Sequence, residues 1–179
     1  TFEITKSAAT VSASPEAKEL TYNGTSQELI SAGTASGGTL KYSVDGGTTW
    51  ADTIPKGTNA GDYEVYYKVF GDENHSDSDA QGPVEITIEK KELSLTWTNT
   101  SFSYDGSAHK PTVTATGTIG EDDVKVEVSG EQIAAGTYTA TAALTGDDAD
   151  NYKLPTAVNT KTFEITKSAA TVSASPEAK

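Results

Sequence analysis

Apolar and polar residues alternate with a period of two in several stretches of the chain. Tyr63, Val65, Tyr67 and Val69 fall on one face of a segment whose other face carries Glu64, Tyr66, Lys68 and Phe70. Tyr138, Ala140, Ala142 and Leu144 repeat the pattern against Thr139, Thr141 and Ala143. Val84, Ile86 and Ile88 alternate with Glu85, Thr87 and Glu89, and Val124, Val126 and Val128 with Lys125, Glu127 and Ser129. Leu93, Leu95 and Trp97 make a further run, with Trp97 expected in the core. Successive side chains of a strand point to opposite faces of a sheet, so this alternation predicts half-buried strands. No stretch shows an apolar stripe at helical spacing with caps. Asp45-Gly46-Gly47 stands between Leu40–Val44 and Thr48-Thr49-Trp50 and predicts a hairpin, because glycine accepts the positive φ of tight turns. Short strands between turn signals, rich in Thr, Val and Tyr, predict an all-β chain built of small antiparallel β-sandwiches.

The pattern recurs within the chain. LTYNGTSQ (20–27) aligns with FSYDGSAH (102–109), NAGDYEVYYKVFGD (59–72) with AAGTYTATAALTGD (134–147), and ITIEK (86–90) with FEITK (163–167). Two homologous domains are therefore expected, at 8–90 and 91–167. A second repetition is perfect: the eighteen residues TFEITKSAATVSASPEAK run from Thr1 to Lys18 and again from Thr162 to Lys179. That identity predicts one full period of a tandem array. Residues 1–7 are then the end of a preceding repeat and 168–179 the start of a following one, both frayed without their partners. The joints at Ile88–Lys91 and Ile165–Ser168 hold almost no spacer.

Composition narrows the function. The formal net charge is −13 and the sequence pI is about 4.4, a field that repels nucleic acid and anionic membranes. There is no Cys, which removes disulfides and thiolate metal sites, and no Met, which agrees with a piece from the interior of a larger protein. No apolar run approaches the ~20 residues of a membrane span.

The Tyr-Asx-Gly turns at 22–24 and 104–106, the Ala-Gly-x-Tyr strand entries and the loop GDDADNYKLP resemble the MBG and YDG repeat domains of large bacterial surface proteins. The first domain is MBG-like and the second YDG-like, and the resemblance covers nearly the whole period. It implies extracellular proteins attached to the wall or envelope through other regions, with many β domains in series and no catalytic residues. Ala-Gly-x-Tyr also resembles the tyrosine corner of immunoglobulin-like sandwiches, in which a Tyr near a strand start bonds back to the main chain. The corner's upstream Asp is replaced by Asn59 and Ala134. A β-grasp module is the alternative fold, and it would need a helix.

Candidate sites are few. The acidic loops offer Asp72, Asp77 and Asp79 in one half and Asp147, Asp148 and Asp150 in the other, oxygen ligands of the kind calcium takes, without EF-hand spacing. Solvated turns are the plainer reading of the same residues. His75 and His109 fall in different halves, so an enzyme is not expected. Trp50, Tyr66 and Phe70 would suit the C–H face of a sugar if they form one exposed patch, and sandwich packing accounts for them otherwise. Lys68 and Lys153 are candidates for isopeptide cross-links, which need a buried lysine. The expected function is a stalk that holds a distal adhesive region away from the cell, with neighbouring repeats as partners. The alternative is a module that binds host glycan or mucin by avidity.

Overall fold

The computed structural model describes residues 1–170. Most of the expected following repeat, 171–179, lies outside the described residues. The chain divides into two compact units. One holds Thr1–Lys91 together with Asp150–Tyr152; the other holds Glu92–Ala149 and the chain from Lys153 onward.

The first unit contains β1 (Ser7–Ala8), β2 (Thr10–Ala13), β3 (Leu20–Thr21), β4 (Gln27–Glu28) and β5 (Thr34–Ser36). It continues with β6 (Gly38–Ser43), β7 (Lys56–Gly57), β8 (Gly61–Gly71), β9 (His75–Ser76) and β10 (Gln81–Glu89). Its main sheet has the order β3-β10-β8-β6. The alternating face of β8 turns inward: Val65 and Val69 are fully buried and Tyr67 nearly so. Ile86 and Ile88 of β10, with Tyr22, Leu29, Ile30 and Tyr42, complete that core. Each such side chain contributes roughly 1.5–3 kcal/mol by leaving water.

The second unit repeats this plan. After β11 (Lys91–Glu92) come β12 (Ser94–Thr98), β13 (Ser101–Ser103), β14 (Thr112–Thr116), β15 (Lys125–Ser129) and β16 (Gly136–Thr145). A single 3-10 turn, Ala149–Asn151, precedes β17 (Tyr152–Lys153), and β18 (Thr160–Thr166) follows. The main sheet is β13-β18-β16-β15, strand for strand the counterpart of the first. Ala140, Phe163 and Ile165 form its centre, with Trp97, Phe102, Val128 and Tyr138 packed around them. Trp97 is part of that packing but only partly buried, and its indole N–H donates to the Val158 carbonyl at 2.8 Å.

The fold is all-β, and two details, the strand directions and the Asp45 hairpin, depart from the sequence expectations. Each main sheet is mixed, not purely antiparallel: β3 runs parallel to β10 (Leu20 opposite Ile88), and β13 runs parallel to β18 (Phe102 opposite Ile165). The β-grasp alternative lacks its helix, since among the described residues the three-residue turn is the only helical element. The hairpin at Asp45-Gly46-Gly47 does not form a second strand. Only an isolated bridge between Tyr42 and Ala51 closes it, because the Asp45 carboxylate takes the Thr48 and Thr49 N–H groups that a ladder would need. Strand β1 begins at Ser7, at the expected boundary between the preceding repeat and the first domain.

The same six residues behave differently at the two ends. In TFEITK at 162–167, Phe163 and Ile165 lie in β18 and are 1% exposed. In TFEITK at 1–6 there is no strand, and Phe2 and Ile4 are 91% and 88% exposed. Strand formation here is set by what the segment packs against, more than by its own propensity.

The duplicated turns also match. Asn23 Oδ1 accepts the Thr25 N–H at 2.9 Å and Asp105 Oδ1 the Ser107 N–H at 2.8 Å, with Gly24 and Gly106 at φ +74° and +84°. Asx turns followed by glycine in the left-handed region explain the Tyr-Asx-Gly motif. The Tyr63 hydroxyl donates to the Asn59 carbonyl at 2.8 Å and the Tyr138 hydroxyl to the Ala134 carbonyl at 3.0 Å. Each Tyr thus pins the main chain four residues before it.

Candidate functional site

The aromatic candidates are only partly brought together. The turn after β6 is organised by Asp45, which accepts hydrogen bonds from the Ser43 and Thr49 hydroxyls at 2.7 Å each and from the Thr49 N–H at 2.9 Å. Those bonds, the Thr49 amide foremost, hold its carboxyl well below the usual carboxylate range. The turn delivers Trp50 onto the outer face of β8, where its ring meets Phe70 edge-on at 6.0 Å. The Lys68 ammonium lies 4.3 Å from the centre of the Phe70 ring and 5.7 Å from that of Trp50, and Lys41 stands 5.1 Å from Phe70. Cation–π contacts at such half-exposed sites contribute about 0.5–1 kcal/mol each. Tyr66, on the same face of β8, makes no ring contact with Trp50 or Phe70, and its hydroxyl donates to Glu64 at 3.2 Å. Trp50 and Phe70 are half-buried, and ammonium groups already cover the ring face a sugar would use.

The acidic loops are occupied by their own turns. Asp72 accepts from His75 Nδ1 at 2.6 Å and from the Asn74 N–H at 2.8 Å. Asp77 accepts the Gly71 N–H at 2.9 Å and pairs with Lys68 at 3.1 Å. Asp148 accepts the Asp123 N–H at 2.9 Å, and Asp150 lies 3.9 Å from Lys90. Asp79 and Asp147 are exposed. Among the described residues no group of three or more His, Asp or Glu could hold a metal ion.

The histidines sit in separate turns. His109 Nε2 lies 2.9 Å from Asp105 and its ring stacks on Phe102 at 4.6 Å, while His75 is tied to Asp72. The isopeptide candidates do not meet their requirement: Lys153 is exposed, and the Lys68 side chain is 21% exposed and ion-paired.

These carboxylates set a pH dependence. Asp45, Asp72, Asp77 and Asp105 all have lowered pKa values, held down chiefly by N–H and histidine donors. A carboxylate depressed in the folded state stabilises above its unfolded pKa of about 4, and that contribution is lost as pH falls through the folded value. The melting midpoint is therefore expected to fall below about pH 4. Asp45→Asn should melt lower than the parent at neutral pH and converge with it in acid. Parallel curves would remove the Asp45 carboxylate as a source of stability.

One further place was not legible in the sequence. The first unit is completed by Asp150–Tyr152, far along the chain from the rest of it. Asn151, 7% exposed, accepts the Ala60 N–H through Oδ1 at 2.9 Å. The buried Tyr152 ring meets the buried Tyr22 ring edge-on at 5.4 Å. The only sequence signal was that Asn-Tyr follows the acid run in GDDADNYKLP, which reads as an ordinary loop. Comparison with protein-family models, with curated proteins and with solved structures returned no match.

Proposed function

We propose that this chain is a spacer repeat: one period of an extracellular stalk on a bacterial surface protein, projecting an adhesive region beyond it. The observation that carries this reading is the tandem construction. The same strand order occurs twice, and a single residue, Lys90, separates the end of β10 at Glu89 from the start of β11 at Lys91. The sequence repeats the same joint after β18, where Thr166-Lys167-Ser168 matches Thr5-Lys6-Ser7. Joints of this length give neighbouring domains little room to reorient. The resemblance to MBG and YDG repeats, and the immunoglobulin-like sandwich that the Tyr63 and Tyr138 hydroxyl bonds favour, point the same way. A net charge of −13 keeps neighbouring copies apart in solution. Glycan binding by Trp50, Tyr66 and Phe70 has less support, because Tyr66 makes no ring contact with the other two and lysines cover Phe70.

Small-angle X-ray scattering of this chain tests the proposal. A ten-residue strand spans roughly 33 Å, so two domains end to end should give a maximum dimension of about 70–90 Å. The profile should be the same in EDTA and in calcium, since the turn carboxylates are already satisfied by N–H and lysine donors. A compact or freely hinged profile would count against the spacer reading.

A further inference from the structure

The socket that Asp150–Tyr152 fills in the first unit has a counterpart in the second. Tyr104 corresponds to Tyr22, Ala135 to Ala60 and Lys167 to Lys90 in the aligned repeats. The local backbone matches as well: the Tyr22 N–H donates to the Glu89 carbonyl at 2.9 Å and the Tyr104 N–H to the Thr166 carbonyl at 2.8 Å. Yet Tyr22 is 5% exposed and Tyr104 is 42% exposed. Tyr104, Ala134, Ala135, Lys167 and Ser168 line an open concavity. Among the described residues nothing accepts the Ala135 N–H, whereas Asn151 accepts that of Ala60.

The filling segment has a counterpart too. Ala9 N–H donates to the Ser76 carbonyl at 2.9 Å as Leu93 N–H donates to the Lys153 carbonyl at 3.0 Å. That register puts Glu73-Asn74-His75 in the place of Asp150-Asn151-Tyr152. The chemistry is kept at each step: an acid, an asparagine, a planar ring. Glu73 and Asn74 are exposed. Their counterparts sit 3.9 Å from Lys90 and 2.9 Å from the Ala60 nitrogen.

From this correspondence we propose that the concavity at Tyr104 is the docking site for the Glu73–His75 segment of the following copy of this chain. Asn74 of that copy caps the Ala135 N–H, Glu73 faces Lys167, and the segment covers the Tyr104 ring, with His75 beside it and still tied to Asp72. The occupant is fixed by the repetition. Ser168-Ala169 is identical to Ser7-Ala8, the β1 strand against which β9 is laid, so the next period brings its own Glu73–His75 to this point. This rests on the tandem reading above and names the contact that holds successive periods.

The test is amide hydrogen exchange in a chain of two periods, residues 1–161 followed by 1–179. In the single-period chain the Ala135 amide should exchange freely. In the two-period chain the Ala135 amide of the first period should slow by about tenfold or more, the effect of one capped amide. Asn74→Ala in the second period alone should return it to the fast rate. The Ala60 amides, capped by Asn151, should keep their protection and show that both periods remain folded. Equal Ala135 exchange in both lengths, or no response to Asn74→Ala, would overturn the proposal. Scattering on the same sample separates it from the spacer reading. An extended particle with an unprotected Ala135 removes the socket and leaves the spacer. A protected Ala135 in a compact particle does the reverse.

Discussion

Replacing Tyr152 by alanine should destabilise the first unit by about 3–5 kcal/mol, the range for losing a large buried aromatic side chain. Tyr152 is 2% exposed, and its ring meets that of Tyr22, itself 5% exposed. Truncation opens a cavity beside Tyr22 and exposes that ring. Asn151→Ala should cost about 1–3 kcal/mol by a different route, because the Ala60 N–H loses its acceptor. Urea denaturation followed by near-ultraviolet dichroism reads both. The informative part is the address of the effect: residues 151 and 152 lie far along the chain, yet signals from Tyr22, Tyr42 and Tyr67 should report the loss. Tyr152→Ala with an unchanged first unit would show that this segment is not part of its core.

The second large effect contrasts two copies of one residue. Phe163→Ala should cost about 3–5 kcal/mol, since Phe163 is 1% exposed at the centre of the second unit between Phe102 and Tyr138. Phe2→Ala should change stability by no more than about 0.5 kcal/mol, because Phe2 is 91% exposed. Both residues follow a Thr and precede Glu-Ile-Thr-Lys, so local sequence cannot separate them. Equal losses from the two substitutions would mean that the amino-terminal copy also pairs into a sheet.

The same contrast shows what could be read from the chain. Period-two alternation in β8 and β10 was legible because burial of one sheet face writes itself into neighbouring residues: Val65, Val69, Ile86 and Ile88 are all buried. The repeated turns were legible because Asn23-Gly24 and Asp105-Gly106 make bonds two residues away. What was not legible depends on distant partners. The parallel pairing of β3 with β10 joins residues such as Leu20 and Ile88, and nothing near either of them announces it. Asp45 was read as a turn residue but not as a competitor for the Thr48 and Thr49 amides, which cost the hairpin its second strand. Trp50, Tyr66 and Phe70 read equally as a patch or as sandwich packing, because which rings touch depends on the turn that carries Trp50: it meets Phe70, while the Tyr66 hydroxyl bonds to Glu64. Tyr22 and Tyr104 share a motif and differ eightfold in exposure, 5% against 42%, because only one has a segment laid over it.

Small-angle scattering on chains of one, two and three periods tests whether the periods add end to end as a spacer. The account predicts a maximum dimension that rises linearly with the number of periods at constant cross-section, by roughly 70–90 Å for each. A radius of gyration that grows only as the square root of the number of periods, as for freely jointed units, or a particle that thickens as it lengthens, would contradict it.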